Sequence, residues 1–101
     1  MKLQINKEPR SLEVLLQGEL DHHGAKGLLQ QLDREIDAEL PLYLTLDFKD
    51  VSFMDSSGIA VVIRCLQRMK ELGGSVKLCR MPQQVRRVFE AAGVQRLVKM
   101  L

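Results

Sequence analysis

Leu42-Tyr43-Leu44-Thr45-Leu46-Asp47-Phe48 alternates apolar with more polar side chains. After Lys49-Asp50 and the short apolar stretch Val51-Ser52-Phe53-Met54, the chain reads Asp55-Ser56-Ser57-Gly58 and then Ile59-Ala60-Val61-Val62-Ile63. Strict alternation predicts a strand with one buried face. Lys49-Asp50 is expected to break it. From Ile59 the apolar positions continue through Leu66, Met69 and Leu72 to Gly73-Gly74, which predicts a helix with a glycine stop. The first turns of that helix are apolar nearly all round and should be deeply buried. Ser75 to Cys79 reads as the next strand, so a strand, a helix and a second strand follow one another directly. That order requires a crossover and hence a parallel pair.

The flanks fit around this unit. Lys2 to Asn6 predicts a short strand, Glu8-Pro9-Arg10 a turn, and Leu12 to Gln17 a second strand antiparallel to the first, ended by Gly18. Ala25, Leu28, Leu29, Leu32 and Ile36 form the stripe of a helix lying on a sheet, with Asp21 as its N-cap and Pro41 closing the connection behind it. Pro82 stands where a third helix would begin, and Val85, Val88, Phe89 and Ala92 give its stripe before Gly93. Leu97, Val98 and Met100 form a last strand or a packed tail. The reading is one α/β domain over residues 1–101, a mixed sheet of four to five strands with helices packed on it.

A chain of 101 residues with 46% hydrophobic and 28% charged residues is ordinary for a globular domain, and its length allows a core without disulfide or metal support. No apolar run reaches the ~18 residues of a membrane span, and Met1-Lys2-Leu3 opens no signal-peptide core. Cys65 and Cys79 make no disulfide framework, so a reducing cytoplasm is expected, with both as core residues. The net charge of +2 conceals an asymmetry: residues 1–63 carry six bases and eleven acids, residues 64–101 nine bases and two acids. The domain should therefore be electrically dipolar. The basic residues of the second half are spread over several elements, with only Phe89 as an aromatic among them. Direct DNA binding wants a denser helix or exposed aromatics, so a solvated face or an acidic protein partner fits better.

Phe53-Met54-Asp55-Ser56-Ser57-Gly58 is the most unusual local feature. Read structurally, it is a helix start, with Ser56 or Ser57 as N-cap and Asp55 favouring the positive end of the dipole; Ile59 and Ala60 leave no capping box. Read functionally, one serine is a surface hydroxyl offered to another protein's chemistry, where phosphorylation would add roughly −1.5 to −2 charges. A serine hydrolase using Ser56 or Ser57 with His22 or His23 is the enzymatic alternative, but the glycine-framed nucleophile elbow is absent, Met54 standing where its first glycine would be. Adjacent histidines point in different directions and no further ligand stands at metal spacing, so no metal is expected. Gly18, Gly24, Gly27 and Gly58 match no phosphate-binding loop, and no cofactor is expected.

Two stretches together resemble a known family. Gly18-Glu19-Leu20-Asp21-His22-His23 and Asp50-Val51-Ser52-Phe53-Met54-Asp55-Ser56-Ser57-Gly58 are similar to the STAS-domain anti-sigma factor antagonists, above all those of the anti-sigma-F type from endospore-forming bacteria. The resemblance covers essentially the whole chain. It implies a non-catalytic binding protein that occupies an anti-sigma factor serine kinase, frees the sigma factor, and is released by phosphorylation until a serine phosphatase resets it. It maps the phosphoacceptor onto Ser56 and places Glu19, Asp21, His22, His23, Asp55, Ser57 and Gly58 on the partner-binding surface. Sporulation is the pathway implied; another sigma pathway, such as general stress signalling, uses the same switch. The family resemblance leaves weak nucleotide binding open, with no residue here to place it.

Overall fold

The alternation that starts at Leu42 becomes a strand longer than the sequence suggests. The computed structural model describes all 101 residues, in the order β1 (Lys2–Glu8), β2 (Ser11–Leu20), α1 (His22–Glu39), β3 (Tyr43–Met54), α2 (Ser57–Glu71), β4 (Ser75–Cys79), α3 (Gln83–Ala91), a 3-10 turn at Val94–Arg96, and β5 (Lys99–Met100). The five strands lie side by side in chain order, β1 antiparallel to β2 and every later pair parallel. The tail reading of Leu97 to Met100 is thereby resolved: Lys99–Met100 pairs with β4, Val98 is buried and Leu97 is exposed.

One face of the sheet carries the core. Leu12, Val14 and Leu16 of β2, Leu44, Leu46 and Phe48 of β3, and Val76 and Leu78 of β4 are buried together with the stripes of the three helices. Phe48 meets Phe89 edge to face at 5.3 Å, which fixes α3 to β3. The alternate residues, including Glu13, Tyr43 and Lys77, are exposed on the other face. Asp47 also belongs to that face but is only 1% exposed, because the Arg80 guanidinium lies over its Oδ2.

Two expected breaks are bulges instead. Lys49-Asp50 does not end β3: between Leu15 and Gln17 of β2, β3 passes from Asp47 to Asp50, one residue more than its neighbour. The Lys49 N–H is satisfied by donating to Asp47 Oδ1 at 2.9 Å, so the strand absorbs the extra residue and continues. Gly18 does not end β2 either; with φ at +113° it sits beside a second register shift and the strand runs on to Leu20. Only glycine reaches that conformation without strain. Pro82 is the N-cap of α3 rather than its first residue.

The dipolar charge division is also revised. Helices α1 and α2 lie against one another, and Asp33 and Asp37 of the acidic half pair with Arg64 and Arg68 of the basic half. Arg80 on Asp47 is a third such pair, while Lys7 bridges Glu35 and Glu39 within the acidic half. The two halves of the sequence interleave in space.

Cys65 is buried, whereas Cys79 at the end of β4 is only partly so. Burial pushes the Cys65 thiol from 9.0 up to about 12. The folded chain therefore keeps a proton that the unfolded chain releases above about pH 9, so stability from this group is complete below that pH and declines as pH rises towards about 12. The urea midpoint should fall across this alkaline window, and fall less steeply in Cys65→Ala. An identical slope in the variant would contradict the assignment.

Candidate functional site

Strands β2 and β3 are parallel neighbours, so their carboxyl ends finish together, with Glu19 opposite Phe53 and Leu20 opposite Met54. The residues that follow, Asp21 and Asp55, therefore emerge side by side from adjacent strands. The Asp55 N–H donates to the Leu20 carbonyl at 3.2 Å, tying one exit to the other. Thirty-odd residues apart in sequence, the two motifs make one surface at the carboxyl edge of the sheet. In open α/β sheets this edge is where ligands and partners bind.

Each exit is shaped by an aspartate. Asp21 has extended backbone geometry, and its Oδ1 accepts from the Gly24 N–H at 2.7 Å, the N-cap of α1 that the sequence predicts. His22 and His23 occupy the first turn of α1, both exposed, and neither imidazole is hydrogen-bonded within the chain. Glu19 is exposed beside them.

At the second exit the expected serine cap is replaced. Ser56 is the N-cap residue of α2 by position, but its backbone is already helical and its hydroxyl caps nothing. Instead Asp55 Oδ1 accepts from the Ser57 N–H at 2.8 Å, since an aspartate reaches the amide two residues on with little strain. Ser56 is thereby left exposed with its hydroxyl free, Ser57 is half-buried, and Gly58 is fully buried. A side chain at Gly58 would collide with Met54 and come within 3.2 Å of Leu20. The glycine lets the start of α2 settle directly onto the strand ends.

No hydrogen bond joins His22 or His23 to Ser56 or Ser57, so the pairing a serine hydrolase would need is not assembled.

Two residues outside the predicted set belong to the site. Phe53, part of the second motif but given no role by the sequence, is 45% exposed next to the exits, an apolar contact on an otherwise polar edge. Gln84 of α3 clasps the end of β3: its Oε1 accepts from the Met54 N–H at 3.0 Å and its Nε2 donates to the Met54 carbonyl at 2.7 Å. Strand β4 pairs with β3 only as far as Asp47, and Gln84 supplies beyond it the bonds a neighbouring strand would make. No periodicity announces such a residue.

Known proteins share this fold. The STAS domain family matches residues 2–101. An anti-sigma F factor antagonist of Paenibacillus polymyxa is 32% identical over 100 residues, spanning 97% of this chain and 86% of the relative. The anti-sigma-B factor antagonist of Bacillus subtilis is 29% identical over 98 residues, spanning 97% and 88%. The structure of the anti-sigma factor antagonist SpoIIAA in its unphosphorylated form superposes with a TM-score of 0.86 at 25% identity, covering 99% of this chain and 88% of that one. The chain belongs to the STAS-domain family of anti-sigma factor antagonists. No helix is long and apolar enough to cross a membrane.

Two expectations follow from the site's construction. Gly58→Ala should lower stability by about 1–2 kcal/mol, because the overpacking against Met54 outweighs the gain in helix propensity; a thermal melt at or above the parent's would show that Met54 yields freely. Gln84→Leu should speed amide exchange at Met54 by about five- to tenfold, equivalent to one net hydrogen bond of about 1 kcal/mol, while Asp55 keeps its bond to Leu20 and changes less. Equal acceleration at both amides would mean that the clasp holds the whole exit rather than one residue.

Proposed function

We propose that this chain works as a partner switch, binding an anti-sigma factor that is also a serine kinase and losing that partner when Ser56 is phosphorylated. One observation carries the reading: the Ser56 hydroxyl is exposed and unbonded at the start of α2, where Asp55 has taken over the capping role that would otherwise occupy it. An acceptor serine must be free to enter another protein's active site. The relative whose structure is known in an unphosphorylated form supports the same chemistry.

The surface around Ser56 supplies the partner contacts. Glu19, Asp21, His22, His23 and Asp55 give it polar and acidic groups, Ser57 and Gly58 hold the helix start close to the strands, and Phe53 offers an apolar anchor. A phosphate on Ser56 would stand beside Asp55, whose repulsion is on the order of 1–5 kcal/mol at ~6 Å between water-like and near-surface screening. Within a closed interface an unpaired charge costs about 2–5 kcal/mol, roughly a 30- to 5,000-fold loss of affinity. A serine phosphatase completes the cycle, the chain itself needing no catalytic group. The cytoplasm, where kinase, sigma factor and ATP meet, is the setting.

The likeness to the Paenibacillus antagonist favours sporulation as the pathway, and the Bacillus subtilis anti-sigma-B antagonist supports general stress signalling as the second reading. Anti-sigma-F and anti-sigma-B kinases, each supplied with ATP, separate them. The expected result is a single phosphate on Ser56 from the anti-sigma-F type, mapped by mass spectrometry. Ser56→Ala should still bind the kinase but take no phosphate, and Ser56→Asp should bind roughly 30-fold or more weakly. Phosphate on another residue would overturn the acceptor assignment, and transfer from the anti-sigma-B kinase alone would move the protein to the stress pathway.

A further inference from the structure

Strand β4 ends beside Asp47, and β3 runs on from Phe48 to Met54 with no strand on that edge. Only Arg80, Met81 and Pro82 separate β4 from α3, and this connection spans the overhang. It is tied to β3 at both ends. At one end Gln84 holds the Met54 backbone. At the other the Arg80 guanidinium holds Asp47, whose Oδ2 accepts from Nε at 2.8 Å and from a terminal nitrogen as well.

The second tie is unusual in both partners. Asp47 is a buried carboxylate on the otherwise exposed face of the sheet, and its Oδ1 already holds the Lys49 N–H in the bulge. Arg80 has φ at +52°, a left-handed conformation that is strained for any residue with a Cβ. Glycine would make such a turn freely, so the turn alone does not account for an arginine here. What arginine adds is the fork over Asp47. Strain of this kind persists only where surrounding contacts hold it, and it concentrates at functional sites.

Met54, at the far end of the overhang, leads to Ser56. Its side chain lies so close to Gly58 that a Cβ there would collide with it, so the placement of Met54 sets the start of α2. We propose that Asp47 and Arg80 are positioning residues for the start of α2, which carries Ser56. Their ion pair fixes the direction in which the connection leaves β4. That direction seats Gln84 on Met54, and Met54 seats the first turn of α2.

The pair acts from about 16 Å behind Met54, the rise from Leu15 to Leu20 on the neighbouring strand at ~3.3 Å per residue. The screening length in physiological salt is ~8 Å, so its influence is mechanical and travels through the connection. Arg80 is half exposed, and its removal opens Asp47 to water instead of stranding a buried charge, so variants at this position should fold. The consequence for phosphorylation rests on the partner-switch reading of Ser56; the brace itself does not.

Amide exchange on the full chain tests the brace without a kinase. Arg80→Gly keeps the left-handed backbone and removes the fork. Exchange at Met54 should quicken about fivefold, the effect of losing about one hydrogen bond, while Leu46 in the buried centre of β3 changes much less. Asp47→Asn keeps an acceptor for the Lys49 N–H but loses the charge that holds Arg80, and should act in the same way. Because the pair works through Gln84, adding Arg80→Gly to Gln84→Leu should quicken Met54 no further. Leu46 accelerating in step with Met54, an unchanged Met54 in either single variant, or additive effects in the double variant each overturn the proposal. With the anti-sigma-F kinase and ATP, Arg80→Gly should raise the KM for the chain about fivefold and leave kcat near the parent's, with Arg80→Lys recovering part of the loss. An unchanged KM overturns the positioning role. Absence of phosphate on Ser56 in the parent overturns the partner-switch reading instead, while the exchange pattern still decides whether Asp47 and Arg80 position the start of α2.

Discussion

The parallel pairing of β2 with β3 is the constraint on which the site depends. Parallel strands in one sheet end at the same edge, and the register Leu20 opposite Met54 makes these two end at the same level. Everything that follows is local: Asp21 caps one helix, Asp55 caps the other, and the bond from the Asp55 N–H to the Leu20 carbonyl fixes their separation. A shift of one residue in that register would turn the buried Leu and Phe side chains of β3 to the open face, so the hydrophobic core and the site are set by the same alignment. The two bulges in β3 reconcile that requirement with a strand longer than its partner at this end.

What the sequence made legible was whatever repeats. The alternation around Tyr43 and the stripes of the three helices specified the element order and which faces are buried, whereas the two motif-bearing loops were placed on one surface only by the family resemblance. Irregular features were hidden for a physical reason. Lys49-Asp50 and Gly18 look like strand ends because polar and glycine residues usually are; whether a strand stops or bulges depends on its neighbour's length. Gln84 was invisible because its role depends on where β4 stops pairing with β3. The exposure of Phe53 was equally hidden because alternation carries no count of extra residues, and the second register shift, falling between Val51 and Phe53, leaves it facing outward.

Charge gave the least transferable reading. Dividing the sequence at residue 63 isolates an acidic and a basic part, but helices α1 and α2 come from opposite sides of that division and pack together, so Arg64 and Arg68 meet Asp33 and Asp37. Exposed pairs of this kind contribute little stability individually. Their consequence is subtractive. They neutralise the acidic helix α1, whereas Glu19, Asp21 and Asp55 around the strand exits take part in no ion pair.

The capping by Asp55 bears on how a phosphate at Ser56 can act. A helix N-terminus attracts an anion through its free amides and its dipole, by about 0.3–2 kcal/mol. Here the Ser57 amide is already bonded to a carboxylate, and the Gly58 amide donates to the Asp55 carbonyl at 3.1 Å. A phosphate arriving at Ser56 thus finds the favourable position filled and a like charge beside it. It would have nothing to gain by drawing the loop inward, so in the proposed switch the modification would leave the fold as it is and project its charge outward. The same aspartate that leaves the serine hydroxyl free would then make an added phosphate a signal for a partner's surface rather than for the protein's own core.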